Sequence, residues 1–141
     1  MHLSPSEKFS QAMQNLMPAP ATQIAIGVSG GADSLALMIL AANWQKKHAK
    51  NTKLFVLCVD HGLRKNSHAE ALMVEKYATA LGLSCQIIVW KHPQVTSALE
   101  EKARVARYKL IGDFCKQNNI NHLLIAHHSG DDAETFLMNL S

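Results

Sequence analysis

Six consecutive residues, Ser29-Gly30-Gly31-Ala32-Asp33-Ser34, combine the types an anion site needs. Two adjacent glycines let a backbone turn sharply and lie close against a ligand. An apolar run at 24–28 precedes them and a longer apolar stretch follows, the pattern of a strand, a tight loop and a helix. Amides of such a loop and of the first helical turn converge, and the helix dipole adds positive potential, so the place suits phosphate. Ser29 and Ser34 add hydroxyl donors. Asp33 would be repelled by phosphate unless a cation lay between, which points to Mg²⁺. The plainer explanation of the same residues is a tight turn with an Asp or Ser helix cap. Two common phosphate loops are excluded: the chain contains neither Gly-x-x-x-x-Gly-Lys-Ser/Thr nor Gly-x-Gly-x-x-Gly.

Three further groups carry titratable side chains. Asp60-His61-Gly62-Leu63-Arg64 follows the apolar run 54–59. His61 is either a ligand contact or a loop histidine bonded to Asp60, and Arg64 and Lys65 meet phosphate or are merely solvated. Arg104 and Arg107 are three residues apart, hence neighbours on a helix surface, with Tyr108 beside them. For Arg104 the plainer role is an ion pair with Glu100 or Glu101, and Tyr108 reads as core. The third group is Ala126-His127-His128-Ser129-Gly130-Asp131-Asp132-Ala133-Glu134-Thr135. Adjacent histidines on extended or turn backbone point different ways, so at most one of His127 and His128 faces a ligand. Asp131 and Glu134 also have the spacing of a helix-capping box, which alone would account for their types.

These groups need a frame, and the pattern of apolar residues supplies one. Ser4, Pro5 and Glu7 predict a helix start, Phe9, Met13, Leu16 and Met17 its apolar face, and Pro18 and Pro20 its end. Apolar runs at 24–28, 54–59, 85–90 and 122–126 predict strands. Helices are expected at about 34–44, 68–81 and 98–116, the second capped by Ser67 with Glu70, the third by Ser97 with Glu100. A last helix is expected from near Asp131, still running at Ser141. This alternation predicts an α/β fold with a doubly wound, mainly parallel sheet. Ligands of such sheets bind beyond the carboxyl ends of the strands, where the unusual residues fall.

Composition agrees with a globular protein. The chain has 141 residues, 48% of them hydrophobic and 18% charged, which excludes disorder, collagen-like and coiled-coil classes. That length is one domain or part of one. No apolar run reaches the roughly 18 residues of a membrane span, and no signal pattern opens the chain, so the expectation is a cytoplasmic protein without membrane partners. The three cysteines, Cys58, Cys85 and Cys115, are far apart and form no C-x-x-C, which argues against a disulfide framework or zinc ribbon. The net charge of +3 does not by itself argue for nucleic acid.

Ser29-Gly-Gly-Ala-Asp-Ser34 resembles the PP-loop of the ATP pyrophosphatase superfamily, which releases pyrophosphate and transfers AMP to a substrate oxygen. With Asp60-His-Gly-Leu-Arg64, Ala103-Arg-Val-Ala-Arg107-Tyr108 and the segment from His127 to Thr135, in that order and spacing, the chain resembles the tRNA(Ile)-lysidine synthetase family from residue 22 onward. The resemblance implies an ATP-dependent ligase with Mg²⁺ as cofactor. Its partners would be ATP, lysine and an isoleucine tRNA, whose wobble cytidine is adenylated at C2 and joined to lysine. It implies a Rossmann-like catalytic domain over 21–141, preceded by a helix and Pro-containing linker over 1–20. ATP would be held by Ser29, Gly30, Gly31, Ala32, Asp33, Ser34 and His61. Asp33, Arg107, His127 and Asp131 would be catalytic, and Asp33 and Asp131 would hold the metal. The family pattern His-His-x-Asp-Asp-Gln-x-Glu-Thr is not kept: ungapped, Gly130 takes the first Asp and Asp132 the Gln, whereas a shifted match pairs Asp131-Asp132 with Asp-Asp. Family members run well past residue 141, so the expectation is a truncated catalytic domain unable to complete the reaction alone. A tRNA thiolase of the same superfamily, a non-catalytic ATP-binding module and a histidine-based metal hydrolase are the alternatives.

Overall fold

The computed structural model describes residues 2–94, 96–129 and 132–140, with backbone alone at 127–129, 132 and 133. Its elements in chain order are α1 (Pro5–Leu16), β1 (Gln23–Gly27), α2 (Ala32–His48), β2 (Lys53–Asp60), α3 (Ser67–Ala80), β3 (Ser84–Val89), α4 (Leu99–Gln117), β4 (His122–Ser129) and β5 (Asp132–Asn139). The strands form a single sheet in the order β3-β2-β1-β4-β5. The first four are parallel; β5 runs antiparallel to β4, from His122 opposite Asn139 to Ser129 opposite Asp132. Among the described residues no helix is long and apolar enough to cross a membrane.

Burial explains the winding. Side chains alternate across each strand, so Ile24, Ile26, Leu54, Val56 and Leu124 pack with Phe9 and Met13 of α1, Leu37, Met38 and Ala41 of α2, and Val74 and Ala78 of α3. Ala25, Leu57, Val59 and Leu123 pack instead with Ile111 and Cys115 of α4 and with Ile120. Each fully buried Ile or Leu contributes about 1.5–3 kcal/mol of transfer free energy. With three helices served by one cluster and α4 by the other, the sheet is doubly wound. The chain moves outward from β1 to β3, then crosses back through α4 to β4 on the other side of β1. The switch point therefore lies between the carboxyl ends of β1 and β4.

Local signals hold in some places and fail in others. Ser4 caps α1 as a full capping box: its hydroxyl accepts from the Glu7 N–H at 3.1 Å, and Glu7 Oε1 accepts from the Ser4 N–H at 3.2 Å. That bonding holds the Glu7 carboxyl below its ordinary range. The other two expected caps are not formed as read. Asn66, not Ser67, precedes α3, and Ser67 Oγ instead accepts from the Arg64 N–H at 3.2 Å. Ala98 precedes α4 in a left-handed conformation, φ 51°, with no side-chain cap.

The expected last helix is corrected. The described residues from Asp132 to Asn139 form β5, a strand; Asp131 and Ser141, the ends of the expected helix, lie outside the described residues. Ala133, Glu134, Leu137 and Met138 favour a helix in isolation, but without β5 the outer edge of β4 would carry an unpaired row of N–H and C=O groups. Pairing along the whole of β4 satisfies that row, and Leu137 packs on one core cluster while Leu140 packs on the other.

Candidate functional site

The chain leaves β1 at Gly27 and enters α2 at Ala32, after only four residues. Val28 stays tied to the sheet, its N–H donating to the Leu57 carbonyl at 2.9 Å. The turn itself falls on Gly30, whose φ of +91° is a region that side-chain-bearing residues rarely adopt. Gly31 caps α2 with an ordinary φ of −71° and no side-chain cap, so the loop backbone requires only the first of the two glycines.

Ser34 braces the loop from within. It is buried, its hydroxyl donates to the Gly31 carbonyl at 3.1 Å, and its oxygen accepts the Ser29 N–H at 3.0 Å. Ser29 Oγ lies 3.2 Å from Ser34 Oγ and accepts from the Gly31 N–H at 3.4 Å. The two serines that sequence reasoning treats alike thus differ: Ser34 shapes the loop, and Ser29 stands at its exposed mouth. Asp33 is exposed in the first turn of α2.

Two cavities flank the loop. One, of about 420 Å³, lies toward the end of β2 and is lined by Ser29, Gly30, Gly31, His61, Arg64 and Arg107, with Cys58 and Glu70 in its wall. The other, of about 310 Å³, opens at the switch point beside Ala126 and is lined by Ser29, Gly31, Ala32, Asp33, Ser34, Arg104, Arg107 and Tyr108. Arg107 borders both. Its guanidinium carbon lies 5.5 Å from the centroid of the Tyr108 ring, and that of Arg104 lies 5.9 Å away. Arg104 therefore faces the site rather than standing only on a solvated helix face, and half-buried Tyr108 is the platform for both arginines rather than a core residue. A cavity of about 460 Å³ lies at the other end of α2, between that helix and α1, and contains none of the loop residues.

His61 is not held by a bond to Asp60, one of the two roles expected of it. The carboxylate of Asp60 accepts from the Gly62 N–H at 3.2 Å and pairs with Nδ1 of His68 at 3.1 Å, not with His61. His61 Nδ1 accepts from the Leu63 N–H at 3.2 Å and lies 3.4 Å from Ser67 Oγ, which leaves the ring proton on Nε2. Burial, then the Arg64 charge, lowers the His61 pKa from its ordinary 6.5, favouring that neutral ring. Burial pushes the Cys58 thiol in the wall up to about 12 and Cys85 up to about 11, so both remain thiols at neutral pH.

The structure thus brings together Ser29, Gly30, Gly31, Ala32, Asp33, Ser34, His61 and Arg107 around one loop. His127 is described by its backbone alone, in β4, and Asp131 lies outside the described residues. Arg64, Arg104 and Tyr108 join the site, and their signal was position: one follows a strand's carboxyl end, and two are helical neighbours of Arg107. An open helix start with Arg64, Arg104 and Arg107 around it makes an electropositive recess suited to a polyphosphate.

A family profile described as a PP-loop domain matches residues 4–141. The tRNA(Ile)-lysidine synthase of Wolbachia pipientis wMel is 44% identical over 119 residues, 84% of this chain and 27% of that protein. That of Bradyrhizobium diazoefficiens is 42% identical over 135 residues, 96% of this chain and 37% of that protein. The chain thus spans between 27% and 37% of the length of these curated relatives. Among solved structures, the U34-tRNA thiolase NcsA from Methanococcus maripaludis, with its 4Fe-4S cluster, superposes with a TM-score of 0.65 at 20% identity, over 84% of this chain and 44% of that one, a likeness of fold. By the profile match over nearly its whole length, the chain belongs to the PP-loop domain family.

Proposed function

We propose that this chain is the ATP-binding part of a ligase that modifies tRNA, adenylating C2 of the wobble cytidine of an isoleucine tRNA and joining lysine there. The observation that carries the nucleotide part is the convergence of the Gly30 turn, the start of α2 and Arg107 on two adjoining cavities. The choice of tRNA and lysine rests on the names of relatives more than 40% identical over most of the chain.

The triphosphate lies on the amides of residues 29–34, with Ser29 as a hydroxyl donor and His61 beside the nucleoside. The cytidine O2 attacks the α-phosphorus, the bond to the bridging oxygen breaks, and pyrophosphate leaves. Arg107 offsets the charge that grows on pyrophosphate, worth about 10²-fold in rate for one well-placed donor. The lysine amine then attacks C2 and expels AMP, giving its proton to a general base, for which the family resemblance offers His127 or Asp131. Mg²⁺ fits the donors present: Asp33 is a single exposed carboxylate at the loop, and the described residues hold no cluster of three His, Cys, Asp or Glu side chains. Such a site suits an ion held chiefly by substrate phosphates with one or two carboxylates, Asp33 and, by resemblance, Asp131. When bound, the ion would neutralise phosphate charge. A tRNA substrate implies action in the cytoplasm.

The test is release of AMP from ATP by the full-length protein with isoleucine tRNA and lysine. Release that needs both, with pyrophosphate formed in equal amount, is expected. ATP cleaved to ADP and phosphate, or AMP release indifferent to lysine, would overturn the proposal.

A further inference from the structure

We infer that His92 is a positioning residue of the nucleotide site, acting through the backbone of His61; this rests on the proposal that the cavity of about 420 Å³ takes ATP.

His92 lies just beyond β3, in a stretch that no motif of the sequence uses. It is docked from behind. The Trp90 N–H donates to the Asp60 carbonyl at 2.9 Å, and the Trp90 ring packs against the α4 core cluster. The His92 ring stacks on Trp90 with centroids 3.9 Å apart and planes 32° from parallel. From that platform Nε2 reaches the carbonyl oxygen of His61 at 2.8 Å, while Nδ1 lies 2.7 Å from the Pro93 carbonyl. A carbonyl only accepts, so each contact is a hydrogen bond only when its ring nitrogen carries a proton; a neutral ring bonds one of the two carbonyls at a time, and the form with the proton on Nε2 is the one that latches His61. Gly62, next in the chain, turns with φ +65°, and a Cβ there would stand 3.9 Å from His92 Nε2, so the ring sits directly behind the turn.

This bond differs in kind from the others holding the loop. The side-chain bonds among residues 60–68 described above are local: Gly62 to Asp60, Leu63 to His61, Arg64 to Ser67 and His68 to Asp60. They give the loop its shape but do not tie it to the rest of the molecule. His92 joins it to β3 across 31 residues. The loop carries His61 and Arg64 to the cavity, so the latch sets where both stand before a ligand arrives. Holding a loop in its bound position lowers the ordering cost of binding.

The experiment compares His92→Gln, His92→Asn and His92→Ala in the 141-residue chain, by calorimetric titration with Mg²⁺ and a non-hydrolysable ATP analogue. Gln carries an amide nitrogen where the ring has Nε2, whereas that of Asn reaches only the place of Nδ1. We expect Ala and Asn to weaken binding by about tenfold, the worth of one well-made hydrogen bond, and Gln to stay within about threefold of the parent. Equal affinity for Gln and Asn, or no loss in Ala, would overturn the role of His92 while leaving the nucleotide site standing. A parent chain that binds no analogue would remove the nucleotide reading itself, and the inference with it. Gln and Asn are both small polar replacements, so their difference survives any general loss of stability.

Discussion

The loop after β1 and the hairpin of β4 with β5 occupy neighbouring ends of one sheet, yet they are specified in opposite ways. The loop is self-contained: Gly30 makes the turn, Ser34 ties Ser29 to Gly31, and every one of these contacts spans five residues or fewer. The hairpin depends on pairing: residues of helical preference take extended backbone along β4, and Phe136 and Met138 remain largely exposed there. A conformation set by local contacts is tied to residue identity at each position, whereas one set by pairing tolerates exchange of side chains so long as the backbone can extend.

Gly30→Val attacks the loop where the contrast is sharpest and carries the largest expected effect. At φ +91° a β-branched residue is strained by about 1–3 kcal/mol. Its Cβ would stand 3.7 Å from Val74 Cγ2, an ordinary contact, so the cost is conformational rather than a clash. Affinity for an ATP analogue should fall about 100-fold or more, the melting temperature by a few degrees. Gly31→Ala, at φ −71°, should cost much less, and equal losses at the two glycines would break the account of the turn. Next in size is Asp33→Asn. It should leave the circular dichroism spectrum unchanged and reduce the gain in ATP affinity on adding Mg²⁺ by about tenfold or more. An undiminished response to Mg²⁺ would remove Asp33 from the proposed metal site.

Leu137→Ala probes the other side of the comparison. This half-buried side chain packs on the core cluster shared by α1, α2 and α3, so its loss should cost about 1–2 kcal/mol in denaturant melts and leave nucleotide affinity unchanged. A fall in affinity comparable to that of Asp33→Asn would show the two regions to be coupled. The smallest effect concerns protons. Titration of His61 followed by NMR should fall below 6.5, because burial and Arg64 favour the neutral ring. A folded-state pKa below the unfolded one means that the unfolded chain binds more protons in between. This contribution to stability is complete above 6.5 and is lost as pH falls through the lowered value. Arg64→Gln should move the midpoint back upward, and a midpoint above 6.5 in the parent would contradict the burial of the ring.

Much of the frame was legible because burial imposes a period. The four parallel strands and the four helices appear close to where apolar patterning puts them, and Ser4 with Glu7 forms the box that their spacing predicts. Side-chain partners were less legible. Asp60 is next to His61 in sequence, but successive residues at a strand's end diverge, and it is His68, in the first turn of α3, that meets the carboxylate. Tyr108 is apolar enough to read as core, but its ring lies under two guanidinium groups. His92 belongs to no motif, since its partner is 31 residues away.

The sequence by itself determined the tight glycine-serine loop after β1, the alternation of strand and helix, and the placing of charged residues after the strand ends. Each of these depends on residues within a few positions of one another. Tertiary structure decided the rest. Crossing α4 to the opposite face put β4 beside β1 and so created the switch-point cavity that Arg107 borders. Pairing along β4 turned helix-favouring residues into β5. Stacking on Trp90 gave His92 a reach to His61. These outcomes share one physical reason: each follows from satisfying backbone groups or burying surface between segments far apart in the chain, and no local preference encodes which segments will meet.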